Sequence, residues 1–425
     1  MTGPALKSVM RIELTVWIAN RTRIPEGVMT GQESGRSRLE GPGLVCKLLV
    51  AALVLAFLAY VAQRGARRAS DFKYVYGAAR YVWTTGALNV RAQARYPVTF
   101  HVLLCPLAAL PLGAAVAAWA VLSMVAVAAL PAVIHRLTVI EPRRQLPAWA
   151  LTAPFFIDAL VLGQSDPINL VLVAAGMFAA TKGRGAIGMG LIGMAGLIKF
   201  LPLLHWATVV ARRRSADAWV GMVLTFAFGL GILVAAVGWN DAVDGIGKQA
   251  ELLRGRHSPR GIIERGADLR PNNESIPMVL VRLYGGSLQV ADAAASTRLP
   301  LETILAIWYG SVAALAGAWL FALVPAARVP PERGWLAMFA LTSIVMLAAT
   351  PICWNHYFLW TMPAALFLLH RPKLLIMLAL LSLGITTLPA ARSLGCHMMM
   401  AIGLFAVVIH DLWREPVRRA HPAST

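Results

Sequence analysis

The sequence predicts an all-α polytopic membrane protein, and three observations carry that prediction. Of its 425 residues 58% are hydrophobic and only 14% charged, the mean hydropathy is +0.66, and apolar runs recur from residue 44 almost to the end. A hydrocarbon core of about 30 Å needs about 20 apolar residues per helical span, and no water-soluble domain of this size carries so many. A soluble oxidoreductase, a DNA-binding domain and a disordered tail are excluded. The 39 Lys and Arg against 20 Asp and Glu are read first as orientation signals, so no nucleic-acid partner is expected. Cys46, Cys105, Cys353 and Cys396 show no CxxC pairing and are given no role.

Residues 1–43 are polar, Gly-rich and mixed in charge, with further Met residues at 10 and 29 and no signal-peptide core. They are read as a disordered or misassigned leader. Leu44 to Ala62 is the first span, too long for a removable signal. Further apolar runs fall near 147–163, 167–180, 186–198, 200–211, 219–238, 301–324, 335–350, 357–370, 374–389 and 398–412. The short basic connectors 135–144, 182–184 and 212–214, Arg328 with Arg333, Arg371 with Lys373, and 414–419 are expected on the cytoplasmic side. Residues 44–413 then form one membrane domain, 414–425 a basic cytoplasmic tail, and both termini are cytoplasmic. This scheme makes 186–211 two short helices meeting outside at Lys199-Phe200-Leu201-Pro202, with Lys199 at the outer surface. From Val98 to Ile134, Pro111-Leu112-Gly113 suggests two short helices, whereas the charge rule wants an odd number of crossings. That conflict stays open, and about eleven to thirteen helices are expected.

Two outward loops interrupt the pattern, residues 63–97 and 239–297, and both are basic. The first carries Arg64, Arg67, Arg68, Lys73, Arg80, Arg91 and Arg95 against one acid, Asp71. The second carries Lys248, Arg254, Arg256, Arg260, Arg265, Arg270 and Arg282. Long loops cross largely regardless of charge, so orientation does not explain this excess; an anionic ligand at the outer surface, such as a phosphate-bearing lipid, does.

Asp71 is the only carboxylate between Leu44 and Pro111 and precedes an amphipathic stretch, FKYVYGAARYVWTTGAL. It can cap that helix and pair with a neighbouring Arg. It can also act as a general base, since transfer of a sugar to a hydroxyl needs a carboxylate for the hydroxyl proton and cations for the leaving phosphate. Gly188-Met189-Gly190-Leu191-Ile192-Gly193 satisfies GxGxxG formally, but no strand precedes it, and close helix packing explains the glycines better.

Asp71-Phe72, Tyr74-Val75-Tyr76, Ala79, Gly86, Tyr96-Pro97, Pro106-Leu107 and Leu110-Pro111 together resemble the opening of the membrane-integral glycosyltransferases of family 87. These enzymes have the GT-C architecture and include polyprenol-phosphate-mannose-dependent mannosyltransferases. The resemblance continues in order through Gly163-Gln164 with Asn169, AGLIKFLP ending at Pro202, Asn272-Asn273-Glu274-Ser275 before Arg282, and Trp354-Asn355-His356-Tyr357. It covers roughly residues 44–412. Val98 replaces a second proline and Glu274 a common amide, departures that bear on acceptor and sugar more than on reaction type.

The resemblance implies a GT-C-like bundle whose two outer loops form the active site, in a bacterial inner or plasma membrane. Asp71 would be the base on the acceptor, with His356 beside it. Lys199, Gln164, Asn169, Tyr96, Asn273 and Arg282 would bind donor phosphate or substrate. Each has a plain alternative. Lys199 at bilayer depth costs about 2.5–3.5 kcal/mol on insertion scales unless it snorkels or pairs; His356 lies in an aromatic cluster of interfacial type; Gln164 and Asn169 flank a helix start at Asp166-Pro167. No metal site and no cofactor are expected. The substrates would be a polyprenyl-phosphate sugar, most simply mannose, and a lipid or glycan acceptor, with surrounding membrane lipids as the other partners. The competing class is a lipid or sugar transporter or flippase, since broken helices and an intramembrane Lys also build alternating-access sites, but no inverted repeat is found. A non-catalytic assembly subunit would leave Asp71 dispensable.

Overall fold

The computed structural model describes residues 71–89, 96–213, 216–255, 258–264, 270–284 and 299–420, with a few isolated positions between 56 and 63. The chain divides into two compact units, 1–53 and 54–425, and every described residue belongs to the second. The leader, most of the first span, Arg64, Arg67, Arg68, Arg91, Arg95, Arg256, Arg265, positions 285–297 and the last five residues lie outside the described residues.

Among the described residues the protein is all-α and polytopic, and its only extended pairing is an isolated bridge between Asn273 and Trp354. Helix α1 (Asp71–Thr85) buries Phe72, Val75, Ala78, Ala79 and Val82, one stripe at helical spacing. It lies against α2 (Val98–Leu103) and α3 (Cys105–Ala108). Tyr76 and Arg80 of α1 donate hydrogen bonds to the carbonyls of Leu110 and Ala108, at 2.7 and 2.6 Å, which are the orphan acceptors of a helix end.

Pro111 then opens α4 (Leu112–Thr138), a single helix of 27 residues, about 40 Å long at 1.5 Å per residue. The two-short-helix alternative for 98–134 is thereby corrected. The helices within residues 98–108 are too short to span, and in this region α4 alone among the described residues is long and apolar enough to cross. Proline at the N-cap starts a helix without needing its missing N–H, so Pro111 ends the short stretch and begins the long one.

Among the described residues six helices are long and apolar enough to cross a membrane: α4, Pro142–Leu162 containing α5 (Leu146–Leu162), α9 (Ala216–Val237), α13 (Leu301–Arg328), α14 (Pro331–Ala349) and Cys396–Glu415 within α18 (Cys396–Ala420). Three shorter apolar helices accompany them, α6 (Asp166–Thr181), α7 (Gly185–Ile198) and α16 (Pro372–Thr387). Helix α14 is the axis: 78% of its apolar window is buried, against 22% for α9 and α13. α6 and α7 approach so closely at Gly176 and Gly188 that a Cβ on either would come within 2.7 Å of the other's carbonyl oxygen. That contact is the use of the first glycine in the GxGxxG stretch.

Two apolar runs are broken rather than continuous. The first is a 3-10 turn at Leu201–Leu204 followed by α8 (His205–Arg213); the second is a 3-10 stretch at Asn355–Thr361 followed by α15 (Met362–Phe367). Irregular backbone is tolerated at membrane depth only inside protein, and residues 358–368 are all buried. The second outer loop contributes α10 (Trp239–Arg254), α11 (Pro259–Glu264) and α12 (Ile276–Tyr284), and α17 (Pro389–Ser393) leads into α18.

Candidate active site

The site is built where α5 stops. Gly163 takes φ +70°, and a Cβ there would stand 2.7 Å from the Cβ of Phe72, so both the turn and the close approach of α1 call for glycine. Trp119 of α4 donates its indole N–H to the Gly163 carbonyl at 2.9 Å and stacks on Phe72 with ring centroids 5.5 Å apart. This junction fixes α1 and turns the Gln164 side chain onto it. Gln164 donates its amide to Asp71 Oδ2, and its own Oε1 accepts from the Tyr96 hydroxyl at 3.1 Å. Asp71, Gln164 and Tyr96 thus form one chain of hydrogen bonds. Gln249 of α10 donates to the Tyr96 carbonyl at 2.5 Å and accepts from the Val98 amide at 3.2 Å, joining the second outer loop to the first.

Two residues past Gln164, α6 begins with Asp166. Its carboxylate accepts from Lys199 Nζ at 2.7 Å and from the Trp360 indole at 3.0 Å. Lys199 ends α7 in an extended conformation and is 6% exposed. Its ammonium also lies 3.8 Å from the centroid of the Tyr357 ring. Lys199, expected where two short helices meet, is buried within the protein, and Asp166 supplies the counter-charge that its burial requires. The phenol of Tyr96 feels Lys199, Asp71, Tyr357 and Asp166 together, and burial, the largest influence, pushes its pKa well above the ordinary value.

His356 completes this half of the site. Nε2 is 3.9 Å from Asp166 and Nδ1 3.9 Å from Asp158, beyond hydrogen-bond reach, and among the described residues neither buried ring nitrogen has a hydrogen-bond partner. Burial lowers its pKa, outweighing the nearby Asp166, and keeps the imidazole neutral. Asn169, one turn into α6, donates to Ser165 Oγ at 3.3 Å, and its buried Oδ1 has no partner among the described residues. A cavity of about 10 Å³, room for one water centre, opens between Asp166, Lys199, Tyr357 and Trp360.

Asn273 and Arg282 are engaged by backbone groups of the second loop and its neighbours. Asn273 Oδ1 accepts from the amides of Cys353 and Ser275 at 2.9 and 3.3 Å, the Glu274 amide donates to the Cys353 carbonyl at 2.7 Å, and Ser275 Oγ donates to Pro351. Arg282 donates to the carbonyls of Asn273, Ser393 and Arg270 at 2.7, 3.0 and 3.2 Å. These side chains fasten the second loop to the strand-like segment before His356. Glu274 and His397, both fully buried, pair at 2.6 Å beneath it. The cations of the loops are similarly engaged: Lys248 with Asp244, Arg260 with Glu302, and Arg270 over the Trp354 ring.

Sequence reasoning thus names Asp71, Gln164, Tyr96, Lys199 and His356, which the fold brings together with Asn169 close by, and it misses Asp166, Trp360 and the stacking role of Tyr357. A signal for Asp166 existed. It is an acid at the head of one apolar helix, and Lys199 stands at the end of the next, the depth match expected of a buried pair across a helical hairpin.

A multi-pass helical bundle that assembles a carboxylate, an amide, a phenol and a buried ammonium at one end of its helices has the parts of a membrane group-transfer enzyme. The chain matches the family model of glycosyltransferase family 87 over residues 95–351. It belongs to that family and is a membrane glycosyltransferase, acting between a sugar donor and an acceptor. The matched stretch includes Tyr96, Gln164, Asn169, Lys199, Asn273 and Arg282; Asp71 and His356 flank it. No curated protein and no solved structure matches the chain.

Proposed function

We propose that the enzyme moves a hexose, mannose in the first instance, from a polyprenyl-phosphate sugar to a hydroxyl of a lipid or glycan at the extracytoplasmic face, with inversion and without metal. The observation that carries this reading is the Asp71–Gln164–Tyr96 hydrogen-bond chain set beside the Lys199–Asp166 pair. The acceptor oxygen forms its bond to the anomeric carbon while the bond from that carbon to the phosphate oxygen breaks, and the electron pair stays on the phosphate. The acceptor proton passes to Asp71, which Gln164 and Tyr96 orient. Lys199 has three N–H donors, one given to Asp166, and its remaining charge faces the leaving phosphate as negative charge grows there. The lipid chain of the donor lies among the spans, so the donor enters laterally and no nucleotide-binding domain is needed. The narrow cavity beside Lys199 implies that Tyr357 and Lys199 part as the sugar phosphate enters.

Purified protein in liposomes, supplied with synthetic polyprenyl phosphate mannose and a lipid extract as acceptor, tests the proposal against Asp71→Asn. Asn keeps the shape and cannot take the proton. Transfer by the wild type that falls by at least about a thousandfold in the folded variant, with donor binding kept, supports it. Full activity of the variant removes Asp71 from the mechanism, and donor movement across the bilayer without sugar transfer replaces the enzyme with a flippase.

A further inference from the structure

At the far end of the same helices lies a second, larger concavity that the transfer reaction does not use. It has a volume of about 790 Å³ and is walled by the connector Thr138–Arg144, the start of α5 at Leu146 and Pro147, Arg333 of α14, and the end of α15 through His370. Helix α5 runs from this wall to Gln164 in 17 residues, about 25 Å. Helix α14 likewise begins here at Pro331 and ends at Ala349, beside the 3-10 stretch holding His356. The concavity and the candidate active site therefore sit at opposite faces of the bilayer.

Its charge is organised. Arg333 is matched by Glu415 at 2.6 Å, and His370 and Arg371 share Asp411 at 2.9 and 2.5 Å. Arg143 and Arg144 are exposed and, among the described residues, have no ion-pair partner; the wall offers them one carboxylate, Glu141. The rim beside these guanidinium groups is apolar, with Val139 67% and Leu146 65% exposed. Orientation alone would be served by arginines on any flexible loop. This connector is instead pinned in a costly shape. Val139 is the one non-glycine residue with positive φ among those described, at +62°, a region that β-branched side chains avoid. It is held by its amide on the His135 carbonyl at 2.7 Å and by the fully buried Gln145, which donates to the carbonyls of Ile140 and Pro131 at 3.0 and 3.1 Å. Strain of this kind persists where surroundings over-determine it and points to use.

We propose that this concavity binds an anionic phospholipid of the leaflet opposite the active site. The headgroup phosphate sits on the forks of Arg143 and Arg144, and the acyl chains run down past Val139 and Leu146. Guanidinium forks match phosphate oxygens in pairs, and basic hollows between helices at a membrane surface are the setting in which anionic headgroups are held. The apolar rim selects a lipid over a soluble phosphate, because a small hydrophilic anion gains nothing from Leu146.

Native mass spectrometry of the delipidated full-length protein in neutral detergent tests this with phosphatidylglycerol, phosphatidylcholine and inorganic phosphate. The wild type is expected to prefer phosphatidylglycerol over phosphatidylcholine by about tenfold or more. Arg143→Gln/Arg144→Gln should bring the two within about twofold, and Leu146→Asn, which keeps every charge, should weaken both lipids and leave inorganic phosphate unchanged. If the double variant fails to fold, either single substitution at these exposed positions carries the test with a smaller loss of the same sign. A preference that survives in the folded double variant overturns the proposal. Displacement of phosphatidylglycerol by millimolar phosphate also overturns it, in favour of a soluble-anion pocket.

Discussion

Asp166 and Lys199, 33 positions apart, form a 2.7 Å ion pair whose side chains are 2% and 8% exposed, capped by the Trp360 indole on the other carboxylate oxygen. Breaking such a pair from one side strands a charge in a dry interior, at about 3–5 kcal/mol, whereas replacing both charges with apolar groups is often neutral. Asp166→Asn and Lys199→Met should each lower the unfolding free energy by about that amount, and Asp166→Leu/Lys199→Met should recover most of it. Transfer activity should stay lost in the double variant, since the ammonium that meets the phosphate is gone. Denaturant unfolding in detergent paired with the liposome assay separates the two roles; recovery of activity in the double variant would make the pair purely structural.

Gly163→Ala adds only a methyl group, yet it forces a left-handed φ on a residue with a Cβ and sets that Cβ 2.7 Å from Phe72. The strain is on the order of 1–3 kcal/mol. The junction can relieve it only by moving α1 or Gln164, so kcat should fall by more than the loss of folded protein explains. A thermal shift of the expected sign with kcat unchanged would show that the Gln164–Asp71 contact does not matter for turnover.

Gln164→Glu places a carboxylate where an amide now donates to Asp71. A like charge at hydrogen-bond distance disfavours the ionised base, so the acid limb of the pH–rate profile should move to higher pH. Gln164→Leu, which removes the donor without adding charge, should lower kcat with a smaller displacement. Coincident acid limbs in all three proteins would detach Asp71 from Gln164 in the catalytic cycle.

The bundle was legible because its cause is local. Lipid demands apolar runs of fixed length, and the runs near 147–163, 219–238 and 335–350 coincide with α5, α9 and α14. The break at Pro111 was legible as a break, but its position relative to the spans was not, since proline is equally able to end a helix and to start one. Within the site, Asp71 stood out as a lone acid among cations. The depth of Lys199 did not, because a buried lysine is defined by its partner, and Asp166 reads in sequence as a helix cap. The backbone anchoring of Asn273 and Arg282 was not legible, because the carbonyls and amides they satisfy, at Cys353, Ser393 and Arg270, have no trace in a side-chain pattern.

Glu274 shows how that fastening reaches the site. Its carboxylate accepts from the backbone N–H of His397 at 2.9 Å and pairs with the ring Nδ1 at 2.6 Å, and with its amide turned Asn355 reaches it at 3.0 Å. Glu274→Ala leaves these buried donors without an acceptor, on the order of 1–3 kcal/mol for each. Because Asn355 adjoins His356, activity should fall with stability, and Glu274→Gln, which keeps an acceptor oxygen, should restore much of both. Equal loss in the Ala and Gln variants would mean that the negative charge, and not the hydrogen bonding, is what the loop requires.

His356 gives the pH dependence of stability a definite sign. Burial holds its folded-state pKa below the ordinary value of about 6.5, so the unfolded chain takes up the proton first as pH falls. The contribution is therefore fully present above about pH 6.5 and is lost progressively below it, amounting to about 1 kcal/mol at pH 5.5. His356→Gln, which cannot protonate, should flatten the decline between pH 7 and 5.5 by that amount in guanidinium unfolding, while Lys73→Gln, at an exposed position of α1, should leave the slope as it is. A variant slope equal to the wild type's would place a protonated imidazole in the folded site, in contact with Asp166 and Asp158. His356 would then be a cation facing the donor phosphate, and kcat should rise below pH 6.5.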